Sequence, residues 1–192
     1  MPNWCSNTLQ VGGDKEQLEA FKQKSIIRSA RNLDIFIMDG TITMPKEIAI
    51  VEDITEEEKA RRIEQYGNFS WYDWRMDNWG TRTDAHDSNI DMEDDSVTIY
   101  FQTAWSPPEN WLKAVSIMYP LLTFDLAYME TGEWYAGRTI ARNGYVQDDC
   151  GYPKMIDEWG NEVEWDDEKD MYKLIGKEEW TEDAFECNPF ED

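Results

Sequence analysis

The chain has 192 residues, enough for one domain with insertions or one domain plus an appendage. Its formal charge is −23, which sets it against nucleic acid and anionic membranes and points to basic partners. Ten tryptophans and a hydrophobic fraction of 41% supply apolar area for a core. Cys5, Cys150 and Cys187 are too few and too widely spaced for a disulfide framework or a zinc site, and they suit a reducing cytoplasm. The start, MPNWCSNTLQ, lacks the basic and apolar runs of a signal peptide. No apolar run approaches the ~20 residues of a membrane span, so no membrane role is expected.

Trp4 to Val11 reads as a strand that turns at Gly12-Gly13. Asp14 with Gln17 forms a capping-box arrangement for a helix running to about Arg28 and burying Leu18 and Phe21. Asp34–Met38 and Thr41–Met44 flank Asp39-Gly40, which predicts a hairpin. Thr55 opens a charged surface helix that ends at Tyr66 before Gly67.

The stretch Ser70 to Ala85 holds three tryptophans and a tyrosine within nine residues. As a helix, Trp71, Trp74 and Asn78 share one face, and Tyr72, Met76 and Trp79 the adjoining one. Arg75 lies four residues from both Trp71 and Trp79 and can stack on an indole. Gly80 stands where a left-handed C-terminal cap is needed. The helix reads as a core element. The competing reading makes part of its indole surface a recognition patch.

Thr81 to Ala85 suggests a short strand, and Asp84 to Asp95 an acidic loop. Val97 to Thr103 alternates cleanly, with Val97, Ile99 and Phe101 on one side. Ser106 is placed to cap a helix with Pro107 at its first position. Trp111, Leu112, Val115, Met118 and Tyr119 then repeat at helical spacing up to Pro120. A strand from Leu122 to Tyr128 follows, then one from Trp134 to Ala141. Asn143-Gly144 predicts a type I′ turn into Tyr145–Gln147.

This order predicts an α+β fold: a ferredoxin-like βαββαβ antiparallel sheet over 1–147, with a helical insertion at about 55–80. Four strands are expected in the sheet, near Trp4–Val11, Asp34–Met44, Val97–Thr103 and Leu122–Tyr128, with both long helices on one face. Residues 148–192 form an acidic extension, seventeen acidic side chains against four basic, punctuated by aromatics. Disordered segments are usually poor in aromatics, so the extension is expected to fold back on the sheet or to order on binding.

MPNWCSNTL, WYDWRMDNWGTRTDA, FQTAWSPPENW, YPLLTFDLAY and EWYAG together resemble a family of bacteriophage and plasmid proteins. It includes the YubB proteins of conjugative plasmids and the Api-type accessory proteins of a lysogenic phage. The resemblance spans roughly residues 1–140 and implies a ferredoxin-like domain and a mobile-element protein working in the bacterial host cytoplasm. Its motif positions here are Trp4, Trp71, Trp74, Asn78, Trp79, Gly80, Trp105 and Pro107, read as mainly structural. Relatives often carry Trp-Gly-Thr-Lys-Trp-Asp-Ala; here Arg82 and Thr83 take the places of the lysine and second tryptophan. The resemblance brings no reaction with it.

No catalytic set is legible. His86 is the only histidine, so Ser-His-Asp and multi-histidine zinc sites lack parts. Gly12-Gly13 lacks the Lys-Ser/Thr of a P-loop, and no Gly-x-Gly-x-x-Gly occurs, so no cofactor is expected. Asp84, His86, Asp87, Asp91, Glu93, Asp94 and Asp95 could collect a hard cation, but without EF-hand spacing. A solvated acidic loop is the expectation there; the alternatives for function are a metal-dependent enzyme using the Asp84–Asp95 cluster or a structural or accessory phage protein.

The favoured expectation is a non-enzymatic binding protein that inhibits a host restriction, CRISPR or DNA-modifying toxin protein by mimicking nucleic acid. Its partner-binding residues would be Asp148, Asp149, Asp157, Glu158, Glu162, Glu164, Asp166 and Asp167. Trp159, Trp165 and Trp105 would act as aromatic anchors.

Overall fold

The computed structural model describes residues 3–50 and 54–190. β1 (Trp4–Gly13) buries Cys5, Asn7, Leu9 and Val11 on one side, the two-residue period of a strand with one covered face. Gly13 turns the chain at φ +140°, with no room for a side chain, since an added Cβ would lie 2.4 Å from the Leu121 carbonyl. Asp14 accepts a hydrogen bond from the Gln17 amide at 3.0 Å and opens α1 (Lys15–Ser25).

The helix does not continue to Arg28. Ile26–Arg28 is β2, paired antiparallel with β3 (Asp34–Phe36). The β-branched Ile26-Ile27 pair favours extended backbone once a partner strand is available. The local hairpin is therefore 26–36 and does not turn at Asp39-Gly40. Asp39 is used differently: its carboxylate accepts from the Met44 amide at 2.8 Å and its carbonyl from the Thr43 hydroxyl at 2.6 Å. These bonds coil residues 39–44 on themselves, so Thr41–Met44 forms no strand.

α2 (Lys46–Ala49) is one turn long. α3 (Glu56–Tyr66) has Thr55 as its cap and ends on Gly67 at φ 79°. α4 (Trp71–Asn78) is capped by the Ser70 hydroxyl and stops at Gly80, φ 82°, where the left-handed backbone suits glycine.

Hydrogen bonds from Arg61 and Arg62 hold the Glu58 carboxyl down at about 2, from an ordinary 4.5. A depressed native value contributes stability above the unfolded pKa, and that stability disappears as pH falls through the folded one. Helicity of α3 should therefore decline between pH 4.5 and about 2. Circular dichroism of Glu58→Gln should lack that part of the acid transition, and an unchanged transition would contradict this role.

Residues 84–95 are not a loop. β4 (His86–Met92) pairs antiparallel with β5 (Ser96–Ala104), through a bulge between His86 and Asn89. The 81–85 stretch before it has no strand. α5 (Glu109–Met118) follows, but Ser106 does not cap it. Pro108 occupies the cap position without a side-chain bond, and the Ser106 hydroxyl donates instead to the Gly80 carbonyl at 2.6 Å. β6 (Leu122–Glu130), β7 (Tyr135–Arg142) and β8 (Tyr145–Gly151) complete the sheet. Asn143 at φ 48° and Gly144 at φ 76° make the turn between the last two, as expected for Asn-Gly.

The sheet has six strands, in the order β4-β5-β1-β6-β7-β8, all antiparallel. The strand flanking β5 is β4, not the Asp34–Met44 region. α1 and α5 lie on the same face: Phe21 of α1 stands 5.4 Å from Phe124 and 6.5 Å from Trp111 of α5. The core fills this layer with Leu9, Val11, Ile99, Phe101, Leu126 and Leu112.

Beyond β8 the chain forms β9 (Lys154–Ile156), β10 (Val163–Asp166), β11 (Met171–Leu174), β12 (Trp180–Thr181) and β13 (Phe185–Cys187). They pair as a β10-β11-β12 sheet and a β13-β9 ribbon. Asn188, buried, donates to the Tyr128 carbonyl at 3.1 Å and fastens this segment to the main sheet. The expected division at 147/148 falls inside β8.

Candidate functional site

β8 is an outer strand of the main sheet, and it places Asp148 opposite Thr139 and Asp149 opposite Arg138. Both carboxylates are exposed. Charged side chains on an edge strand also discourage pairing with other chains. The Arg138 guanidinium is held on the sheet by Asp125, in a fork of two 2.9 Å bonds.

The neighbouring small strands sort the remaining predicted residues into two groups. Glu158, Glu164 and Asp167 face solvent beside Trp159, 79% exposed, and Trp165, 48% exposed. Trp165 is braced edge-on against Tyr172 at 4.9 Å, and its indole N–H donates to Asp167 at 3.0 Å. The other three carboxylates serve the fold. Asp157 is buried and accepts from the Trp159 and Asn161 amides at 2.9 and 2.8 Å. Asp166 accepts from the Trp180 indole at 2.9 Å, which holds its carboxyl below the usual range. Glu162 is paired with Lys154.

The motif tryptophans are mostly packed. Trp74 and Trp79 are buried and Trp71 is half-buried. Asn78 bonds back to the Trp74 carbonyl at 2.8 Å, and Pro107 is buried ahead of α5. Trp4 is half-buried, its ring 5.1 Å from that of His86.

Arg75 stacks between Trp71 and Trp79, with its guanidinium carbon 5.3 and 5.0 Å from the ring centres. Burial pushes its pKa down. Beside it lies a feature the sequence did not indicate. Arg82 sits 4.9 Å over Tyr72 and 5.8 Å from Trp105, and it donates to the Tyr72 hydroxyl at 3.1 Å. Trp105 is held at φ 72° by two bonds: its amide to the Asn3 carbonyl at 3.0 Å, and the Tyr135 hydroxyl to its own carbonyl at 2.6 Å. Tyr72 and Arg82 are ten positions apart and Trp105 lies on another loop, so no periodicity could have joined them.

The acidic run 84–95 does not converge. Asp84 turns inward and accepts from the Met38, Asp39 and Ala85 amides at 2.7, 3.2 and 2.7 Å. Burial pushes its carboxyl up. Glu93 accepts from the Ser96 hydroxyl at 3.0 Å, while Asp91, Asp94 and Asp95 point to solvent. Among the described residues, no three His, Cys, Asp or Glu side chains are grouped to hold a metal ion. The Cys5 thiol is buried and pushed up to about 12, largely by that burial, which makes it a poor nucleophile. No helix among the described residues is long and apolar enough to cross a membrane.

The profile of a family described as the ferredoxin-like domain in Api92-like protein matches residues 78–175, just over half of the chain. The fold is similar to the crystal structure of a protein api92 from Yersinia pseudotuberculosis, with a TM-score of 0.51 and 8% sequence identity. That similarity covers 79% of this chain and 98% of the other. No curated protein sequence matches this chain.

Proposed function

This chain belongs to the family of Api92-like proteins, and we propose that it acts as a non-enzymatic binding protein docking on a basic partner. The observation that carries the reading is that Asp148 and Asp149 on β8, and Glu158, Glu164 and Asp167 in the segment after it, all face solvent, with Trp159 and Trp165 of the same segment exposed. Carboxylates of one sign supply long-range attraction, and the indoles supply the desolvated anchors that carry affinity. With a charge of −23, the complementary surface is one built to hold phosphates. The partner is therefore a nucleic-acid-binding protein of the bacterial host, such as a restriction, CRISPR or DNA-modifying toxin protein. The chain occupies its nucleic-acid face as a phage or plasmid accessory protein in the host cytoplasm. The alternative, a metal-dependent enzyme built on residues 84–95, has less support because Asp84 is already used by three backbone amides.

The test is a competition assay on a DNA-binding protein recovered from host lysate with this chain as bait. Labelled DNA should be displaced by the chain, with affinity falling at least about tenfold when salt shortens the screening length well below ~8 Å. Combined Asp148→Asn, Asp149→Asn, Glu164→Gln and Trp159→Ala should weaken displacement by a further tenfold or more. A complex holding DNA and this chain together without mutual loss sinks the proposal.

A further inference from the structure

A second surface lies on α4 and the loops beside it, where Arg75 and Arg82 meet. Arg28, Arg61, Arg62 and Arg138 each pair with a carboxylate. Arg75 and Arg82 have no such partner among the described residues. Asp84 and Asp39 act on Arg75 through space, but Asp84 is bonded to three amides and Asp39 to the Met44 amide. One Arg75 Nη donates to the Arg82 carbonyl at 3.0 Å, while its Nε is buried with no acceptor. Arg31 and Arg142 also lack a carboxylate partner among the described residues, but Arg75 and Arg82 are the two that meet, a local concentration of donors in a chain with 41 acidic residues.

Their surroundings orient them. Stacking on Trp71, Trp79 and Tyr72 covers the flat faces of the guanidiniums, and with the Arg75 Nε buried and one of its Nη bonded, the exposed Arg82 edge is the main available donor. Trp105 walls the far side, 37% exposed, and is held in a backbone conformation that a bulky residue rarely adopts. The patch thus offers the forked edge of Arg82 framed by half-buried Tyr72 and exposed Trp105.

We infer that the Tyr72–Arg75–Arg82–Trp105 patch receives a carboxylate of a partner polypeptide, an Asp or Glu side chain next to an apolar residue. A carboxylate matches the forked guanidinium edge, and the flanking apolar group matches the indole and phenol rims. A nucleic acid strand fits less well: the whole chain repels a polyanion, and exposed Asp73 and Asp77 lie on the same helix. The inference stands apart from the acidic strands, because none of their residues takes part.

The test is nuclear magnetic resonance on the full chain, following the indole N–H signals of Trp71, Trp79 and Trp105. The probes are acetyl-Glu-Phe-amide, acetyl-Gln-Phe-amide, inorganic phosphate and a thymidine oligonucleotide. The acidic dipeptide should shift the Trp105 and Trp71 signals saturably. The glutamine dipeptide should bind about tenfold or more weakly, the factor expected for one charged hydrogen-bonded contact. Arg82→Gln should weaken the acidic dipeptide by a similar factor, with Arg82→Lys in between. The dipeptide pair decides the matter on the unmodified chain even if a variant misfolds. Equal response to both dipeptides, no saturable shift, or tighter binding of phosphate or oligonucleotide would each overturn the inference.

Discussion

Truncating Trp79 to Ala is expected to cost about 3–5 kcal/mol and to lower the thermal midpoint by roughly 6–20 °C. Its ring is 1% exposed and meets Trp74 edge-on at 5.7 Å, with Arg75 stacked on it. The indole N–H donates to the Ile42 carbonyl at 2.9 Å, and the Trp79 carbonyl accepts from the Trp111 amide at 3.3 Å. One residue thus joins α4, the coiled 39–44 segment and the start of α5. Removing the ring leaves a cavity, an Ile42 carbonyl without its partly buried indole donor and an Arg75 stacked on one side only. Trp159→Ala, at 79% exposure, should change stability by no more than about 0.5 kcal/mol. Urea or thermal unfolding of both variants reads the contrast. A cost below about 1 kcal/mol for Trp79→Ala would mean that α4 is not part of the core.

Elements specified by local chemistry were legible in the sequence. Asp14 and Thr55 cap helices, and Gly67 and Gly80 end them, because caps depend on residues within a few positions. β5 and β6 were legible because one face is buried and the other is not. The end of α1 was not, since β2 exists only through its pairing with β3. β4 was hidden for a different reason. It is an outer strand facing largely into water, so its side chains show no apolar alternation, and its carboxylates mimic a loop. Asp39-Gly40 misled because the Asp39 carboxylate caps the following residues, and Gly40 lies tight against α1, where an added Cβ would meet the Lys24 carbonyl at 1.8 Å.

The candidate site was legible in outline only. Charge and aromatic content marked the segment after β8, but composition cannot say which carboxylates turn inward. Asp157 precedes a tight turn ending at Gly160, φ 79°, so its oxygens meet amides two and four residues on. Asp166 is claimed by Trp180, fourteen residues away, through strand pairing that no local pattern announces. Arg75 was the exception: its spacing from Trp71 and Trp79 placed all three on one helix flank, and both stacks form.

Asp84→Ala is expected to cost about 3 kcal/mol, because three amides lose their acceptor at a half-buried position. Asp91→Asn, Asp94→Asn and Asp95→Asn, on exposed side chains, should each stay within about 0.5 kcal/mol. The pH dependence carries a definite sign. Burial raises the Asp84 carboxyl in the fold, so its titration favours the folded state most below the ordinary value of 3.8. That contribution is lost as pH rises through the higher native value. The stability gap between wild type and Asp84→Ala should therefore widen on acidification, as read by denaturant unfolding across that range. The same pair of proteins tests the enzyme alternative. A manganese or magnesium site built on Asp84 would stabilise the wild type in proportion to the logarithm of ion concentration, and this would vanish in Asp84→Ala. The expected result is no difference in ion response between the two, with the carboxylate acting as the acceptor that ties residues 38 and 39 to the start of β4. A metal-dependent gain confined to the wild type would overturn that role and return weight to chemistry at residues 84–95.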